Sequence, residues 1–94
     1  MKIQHEEKEG SGRHFILGEN GETVAEITYS SRVKGTMVVE HTGVDEDLQG
    51  QQIGLQLVKA VVEQARAESK KIVPQCPFVR SVMDKTPEFR DVLA

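Results

Sequence analysis

Met37-Val38-Val39-Glu40-His41-Thr42-Gly43-Val44, then Asp45-Glu46-Asp47-Leu48-Gln49-Gly50-Gln51-Gln52, then Ile53-Gly54-Leu55-Gln56-Leu57-Val58-Lys59-Ala60-Val61-Val62-Glu63-Gln64-Ala65 are the residues on which the fold turns. The first group alternates. Met37, Val39 and His41 fall on one face and Val38, Glu40 and Thr42 on the other, the period of a strand from Thr36 to Val44. The second group is polar and carries a glycine, so it reads as a loop. From Ile53 the apolar residues recur at helical spacing: Ile53, Leu57, Val61 and Ala65 form one row, with Gly54, Val58 and Val62 beside it. That spacing predicts an amphipathic helix ending near Glu68, with Gln56, Lys59, Glu63, Gln64 and Arg66 on its wet face. A loop that feeds a helix presents unpaired backbone N–H groups at the helix's positive end, a ready site for phosphate.

Upstream, the chain reads as a β-meander. Ile3 to Glu7 is a weakly patterned edge strand, and Gly10-Ser11-Gly12 a flexible break. Arg13 to Leu17 is a strand, followed by an Asn-Gly turn in Gly18-Glu19-Asn20-Gly21. Glu22 to Ser30 is the next strand, with Ala25, Ile27 and Tyr29 on one face, and Arg32 to Gly35 turns the chain again. Downstream, Lys70 to Val73 is a short strand stopped by Pro74, and Pro77 opens a shorter helix with Phe78, Val82 and Met83 inward. Thr86-Pro87 ends that helix, and Phe89 anchors a last turn. The fold class is α+β: an antiparallel β-meander, a long amphipathic helix, a further strand and a short helix, expected as one domain over residues 1–94.

Composition narrows the function. Hydrophobic residues are 37% and charged residues 29%, ordinary for a soluble globular chain. No apolar run approaches the roughly 20 residues that cross a bilayer, and the first residues lack the apolar core of a secretory signal. One cysteine makes neither an internal disulfide nor a zinc cluster, so the cytoplasm is the expected compartment. Twelve basic against fifteen acidic residues, with no tryptophan and one tyrosine, argue against a nucleic-acid binder. So short a chain buries a modest core, which makes a homodimer an expectation to test.

The loop Gln49-Gly50-Gln51-Gln52-Ile53-Gly54 resembles the acyl-coenzyme A loop of the GNAT N-acetyltransferase superfamily, whose pattern is Gln or Arg, two residues, Gly, one residue, then Gly or Ala. Gln49 and Gly54 match its ends, and Gln52 stands at the middle glycine. Together with Glu40-His41-Thr42-Gly43-Val44 upstream and Cys76-Pro77-Phe78-Val79 and Pro87-Glu88-Phe89 downstream, the chain is similar to the small, truncated members of that superfamily from Arg13 to Leu93. The resemblance implies acetyl-coenzyme A as substrate. Backbone amides of Gln49, Gly50, Gln51, Gln52, Ile53 and Gly54 would hold the pyrophosphate. Thr42, Gly43 and Val44 would pair with the pantetheine arm in a slot where this strand splays from the later one. The Val44 N–H would polarise the thioester carbonyl, and Cys76 and Phe78 would complete the coenzyme A contacts near the acyl end. The chain departs from relatives at Gly43, where many carry Glu, and at Val82 and Met83, where many carry a tyrosine acid.

The chemistry sets its own demands. An amine must be neutral to attack a thioester, which for a lysine at pH 7 costs roughly 4.6 kcal/mol. His41 is the best-tuned base, with Glu40 and Glu26 as alternatives. The departing thiolate needs a proton or a positive dipole. Cys76 is positioned by the resemblance to supply the proton, or to act as a nucleophile that takes the acyl group first, activated by His41 if the two meet. Cys76 is equally readable as a small buried hydrophobe and His41 as a core-edge residue. The acceptor is a small-molecule or protein amine, with no nucleic acid and no membrane, approaching an open site of low selectivity. The alternative is a coenzyme A-binding or interaction module of the same fold without turnover; a ligand-free interaction domain is a third reading.

Overall fold

The computed structural model describes residues 2–94. Five strands form one sheet in chain order: β1 (Gln4–Lys8), β2 (Ser11–Leu17), β3 (Thr23–Ser30), β4 (Thr36–Val44) and β5 (Lys71–Pro74). β1 to β4 are antiparallel neighbours, and β5 runs parallel to β4. A parallel neighbour needs a crossover, and α1 (Ile53–Ala67) is that crossover. A second helix, α2 (Pro77–Lys85), follows β5, and a 3₁₀ segment over Pro87–Val92 brings Leu93 beside Ile72. The expected order of strands and helices is therefore found.

The core lies between one face of the sheet and the helices. Ile53, Leu57, Val58, Val61, Val62 and Ala65 of α1 pack against Ile16, Ala25, Ile27, Tyr29, Met37 and Val39. Val79 and Met83 of α2, with Phe89, close the same cluster. Arg66 ties the C-terminal segment down, making two bonds to the Asp91 carboxylate at 2.8 Å. No helix among the described residues is long and apolar enough to cross a membrane.

Three local expectations need correction. Gly10-Ser11-Gly12 is not a flexible break. Glu9 and Gly10 both take positive φ (53° and 82°) and close a two-residue hairpin in which Lys8 pairs with Ser11. Gly12 then lies in β2, where an added Cβ would overlap the Tyr29 hydroxyl. Gln64 is not on a wet face; it is half-buried and bonded to His14 and Tyr29. Phe78 does not point inward: it is 43% exposed and lies over Gly54.

β4 carries the most consequential irregularity. Thr28 pairs with His41 and Tyr29 with Val39, so Glu40 is an extra residue, a β-bulge. The bulge reverses the phase of the strand. Met37 and Val39 face the core before it, and Thr42, opposite the buried Ile27, faces that side after it. His41 therefore does not share a face with Met37 and Val39. It is exposed on the opposite side, where a Cβ on Gly43 would lie 3.3 Å from its Nε2.

Candidate active site

A fork in the sheet makes the site. β4 and β5 pair from Thr36–Lys71 to Val39–Pro74 and no further. Pro74 has no N–H to continue a ladder, and the Val39 carbonyl instead accepts the amides of Gln75 and Cys76, at 3.0 and 3.1 Å. The two chains then diverge, leaving the edge of β4 from Glu40 to Val44 without a strand neighbour on that side. The Asp45 amide points toward β3, where it bonds the Val24 carbonyl at 2.9 Å. By alternation the Val44 amide points the other way, into the fork.

The fork opens into a cleft of about 670 Å³, lined among others by Thr42, Val44, Gln49, Gly50, Gln52, Ile53, Gly54 and Phe78. That volume lies within the range of small-molecule sites. The sequence-predicted loop residues thus gather at one cleft, with Gly43 on the adjoining strand and Gln51 exposed in the loop. The reading of the sequence missed the remaining walls, Leu48, Leu55, Val82, Lys85 and Thr86. Their signal lay in the helical spacing of Phe78, Val82 and Lys85, which puts three residues of α2 on one stripe.

At one end of the cleft stands the N-terminus of α1. Its first turn holds no acidic residue, and no side chain caps it. The loop reaches it through Gly50 at φ 84° and Gln52 at φ 59°, ψ 27°. Gln52 therefore takes up the left-handed conformation that the middle glycine of the superfamily pattern is suited to, at a strain of about 1 to 2 kcal/mol. Gly54 serves packing: a Cβ there would come within 2.7 Å of Cζ of Phe78. Asp45, Glu46 and Asp47 are exposed around a separate 3₁₀ turn, Glu46–Leu48. The Gln49 side chain reaches back 3.4 Å to the Val44 carbonyl.

Cys76 lies beside the fork, buried, at the N-cap of α2. Its thiol donates to Thr42 Oγ1 at 3.6 Å. Burial pushes this thiol up, but the Val79 amide, the Thr42 hydroxyl and the amides of Phe78 and Thr42 more than offset it, so the group sits below the ordinary thiol range. His41 and Cys76 are not brought together. Thr42 turns toward the sulfur, while its neighbour His41 lies across the sheet. Glu40 is exposed at the bulge, and Glu26 is engaged by Arg13 at 3.0 Å.

Comparison with known proteins places this arrangement. A family model for the GCN5-related N-acetyl-transferase matches residues 13–92. The chain is 35% identical to a GCN5-like N-acetyltransferase-type protein from Staphylococcus aureus, covering 99% of this chain and 87% of that one, with a TM-score of 0.75. Two more distant structures share the fold. Ribosomal-protein-alanine N-acetyltransferase from Brucella melitensis biovar Abortus 2308 is 20% identical, with a TM-score of 0.62 over 83% of this chain and 62% of that one. Tetrahymena GCN5 is 12% identical, with a TM-score of 0.63 over 83% of this chain and 51% of that one. No curated protein matches the chain by sequence. The match across most of the chain, set on a forked sheet whose cleft runs to an uncapped helix start, shows that the chain belongs to the GCN5-related N-acetyltransferase family.

Proposed function

We propose that the chain binds acetyl-coenzyme A in the cleft and transfers its acetyl group to an amine acceptor. The observation that carries this reading is the continuity of the cleft, which joins free amides at the start of α1 to an unpaired strand edge at Thr42 and Val44, with the buried Cys76 thiol against Thr42 behind that wall. The residues present fit the ligand. One end offers helix-start amides with no competing carboxylate in the first turn. Lys85 is the single charged residue among those lining the cleft, and it is cationic. The middle offers apolar walls and a strand edge suited to a chain that carries amides.

Bound there, acetyl-coenzyme A supplies an acetyl thioester. On this reading the amides from Gln49 to Gly54 hold the diphosphate, and Thr42, Gly43 and Val44 align the pantetheine arm. The Val44 N–H, directed into the fork, stabilises charge on the carbonyl oxygen. Phe78 walls the arm. Cys76 hands its proton to the departing thiolate, or its thiolate takes the acetyl group before the amine does. The second role is favoured by a thiol held low by surrounding amides, and it needs no contact with His41. On the same reading His41, exposed on the far side of the sheet, takes a proton from an amine that approaches the fork from that side.

Titration calorimetry with acetyl-coenzyme A, followed by a thiol-release assay over a panel of primary amines, tests the proposal. Binding with release that depends on amine is the expected result; no heat of binding refutes it. A second reading, a coenzyme A-binding module without turnover, is favoured by Gln52 at the strained position and by Gly43 standing where many relatives carry a carboxylate. It predicts heat of binding but no thiol release with any amine.

A further inference from the structure

The strongest unexplained feature lies at the opposite end of α1 from the cleft. His5 of β1 pairs with His14 of β2, and their rings stack with centroids 4.3 Å apart and planes 6° from parallel. A chain of hydrogen bonds runs from this pair into α1. Tyr29 donates to Glu7 Oε1 at 2.7 Å, so the phenol oxygen accepts from His5 Nε2 at 2.6 Å and from Gln64 Nε2 at 3.1 Å. Gln64 Oε1 in turn accepts from His14 Nε2 at 2.7 Å. Both imidazoles therefore act as Nε2–H donors, a role that neutral and protonated rings alike can fill.

We infer that the stacked His5–His14 pair is an acid-sensitive latch, which holds the edge strand β1 on the sheet while at most one ring is charged and releases it when both are. The charged and titratable groups around the pair set the order. Glu7 reaches the network from β1, and the Tyr29 hydroxyl from β3. Glu68, at the end of α1, shares its carboxylate with Gln64 Nε2 at 3.2 Å and with Lys70 Nζ at 2.9 Å. His5 is exposed and faces these carboxylates, and as an Nε2–H donor its ring can gain a proton without breaking any bond. His14 is 7% exposed beneath it, and burial holds it below the ordinary histidine range. A second charge on a ring stacked against the first is opposed both by burial and by its neighbour. The exposed ring relieves that repulsion by leaving, and it is the second residue of a five-residue edge strand whose residues are all exposed. Departure of β1 would uncover Tyr29 but leave α1 packed on β2 to β5.

Ring-proton NMR of the full chain, titrated from about pH 8 to about pH 4.5, is the test, read together with amide exchange in β1 relative to β3. His41, on an exposed part of β4, is an internal reference. The expected result is two steps for His5 and His14 separated by more than about one unit, with the second step accompanied by an approximately tenfold or greater excess of exchange at residues 4–8. Two independent steps within about half a unit, or β1 amides that stay protected through the second step, would overturn the inference. His14→Gln keeps a donor for Gln64 but cannot be charged, so acid-linked loosening of β1 should vanish; its persistence would also overturn the latch. Should this variant not fold, the titration of the wild-type chain decides alone.

Discussion

Replacing Gln52 by Gly should stabilise this protein, although most substitutions do the reverse. Gln52 is the residue before α1, held at φ 59° and ψ 27°. A side chain in that conformation costs about 1 to 2 kcal/mol relative to glycine. Its amide group makes no cap bond to the helix, so no capping interaction is lost. Glycine also loses more backbone entropy on folding, which returns about 0.4 to 1 kcal/mol. The net gain is about 0.5 to 1 kcal/mol, and for a chain of this length that raises Tm by about 2 to 8 °C. Gln52→Ala is the control, because it removes the amide but keeps the strain, and it should leave Tm nearly unchanged. Thermal unfolding by circular dichroism measures both variants. A lower Tm for the glycine variant, or an equal rise for the alanine variant, would refute the argument from strain. Under the proposed function the glycine variant should also bind coenzyme A more tightly in calorimetry, since its amide becomes approachable from both sides.

Other consequences follow from single contacts. Cys76→Ala should reduce turnover strongly while coenzyme A binding changes little; equal turnover in the thiol-release assay would remove the sulfur from the chemistry. Alkylation of Cys76 by iodoacetamide should show a pH midpoint below that of a free thiol, and acetyl-coenzyme A should protect it, with mass spectrometry as the readout. Gly12→Ala should destabilise by about 1 to 3 kcal/mol in urea unfolding, because the new methyl meets the Tyr29 hydroxyl and lies 2.9 Å from the Glu6 carbonyl. His14 is harder to protonate folded than unfolded, so the unfolded chain binds the extra proton first. Stability should therefore be full above about pH 6.5 and decline as the pH falls below it, and His14→Gln should flatten that decline.

What the sequence made legible was whatever depended on period. The buried row of α1 emerges from its spacing, because each buried position is aliphatic and each neighbour off the stripe except Leu55 is polar or small. The loop and its glycines stood out for the same reason. The bulge at Glu40 was not recognised, although a trace of it was present. The residues turned to the core run Met37, Val39, then Thr42 and Val44, a change from odd to even that an uninterrupted strand would not make. Reading Met37, Val39 and His41 as one face assumed no such break. Similarly, His5 and His14 carry no local signal. They meet only because the hairpin at Glu9 and Gly10 sets the register, and an imidazole pair across strands has no sequence period. Phe78 escapes the pattern because aromatic rings usually mark the core. Here Gly54 leaves a shelf for the ring on the outside of α1, and the ring becomes a wall of the cleft.

The far face of the sheet bears on how an acceptor would be chosen. That face carries no helix among the described residues. Its aromatic residue is Phe15, and the Arg13 guanidinium covers it at 4.0 Å from the ring centroid, while Val38 and Val73 sit half-buried and paired on the same side. Arg13 is in turn held by Glu6 at 3.3 Å and Glu26 at 3.0 Å, so the roof over the ring is itself polar. Further along the same face come Thr28, His41 and Gly43, none of them a strong hydrophobe. The aromatic ring of this face is therefore already covered by a charge-paired polar roof. In the proposed reaction this is the side from which an amine reaches the fork. Glu40 and Glu26 each line an open hollow and His41 lines neither, so in this reaction discrimination among amines should rest on charge at these carboxylates rather than on an enclosing shape. Small cationic amines and flexible lysine side chains should then be used at comparable rates, and a strong preference for one bulky neutral amine in the thiol-release panel would contradict that view.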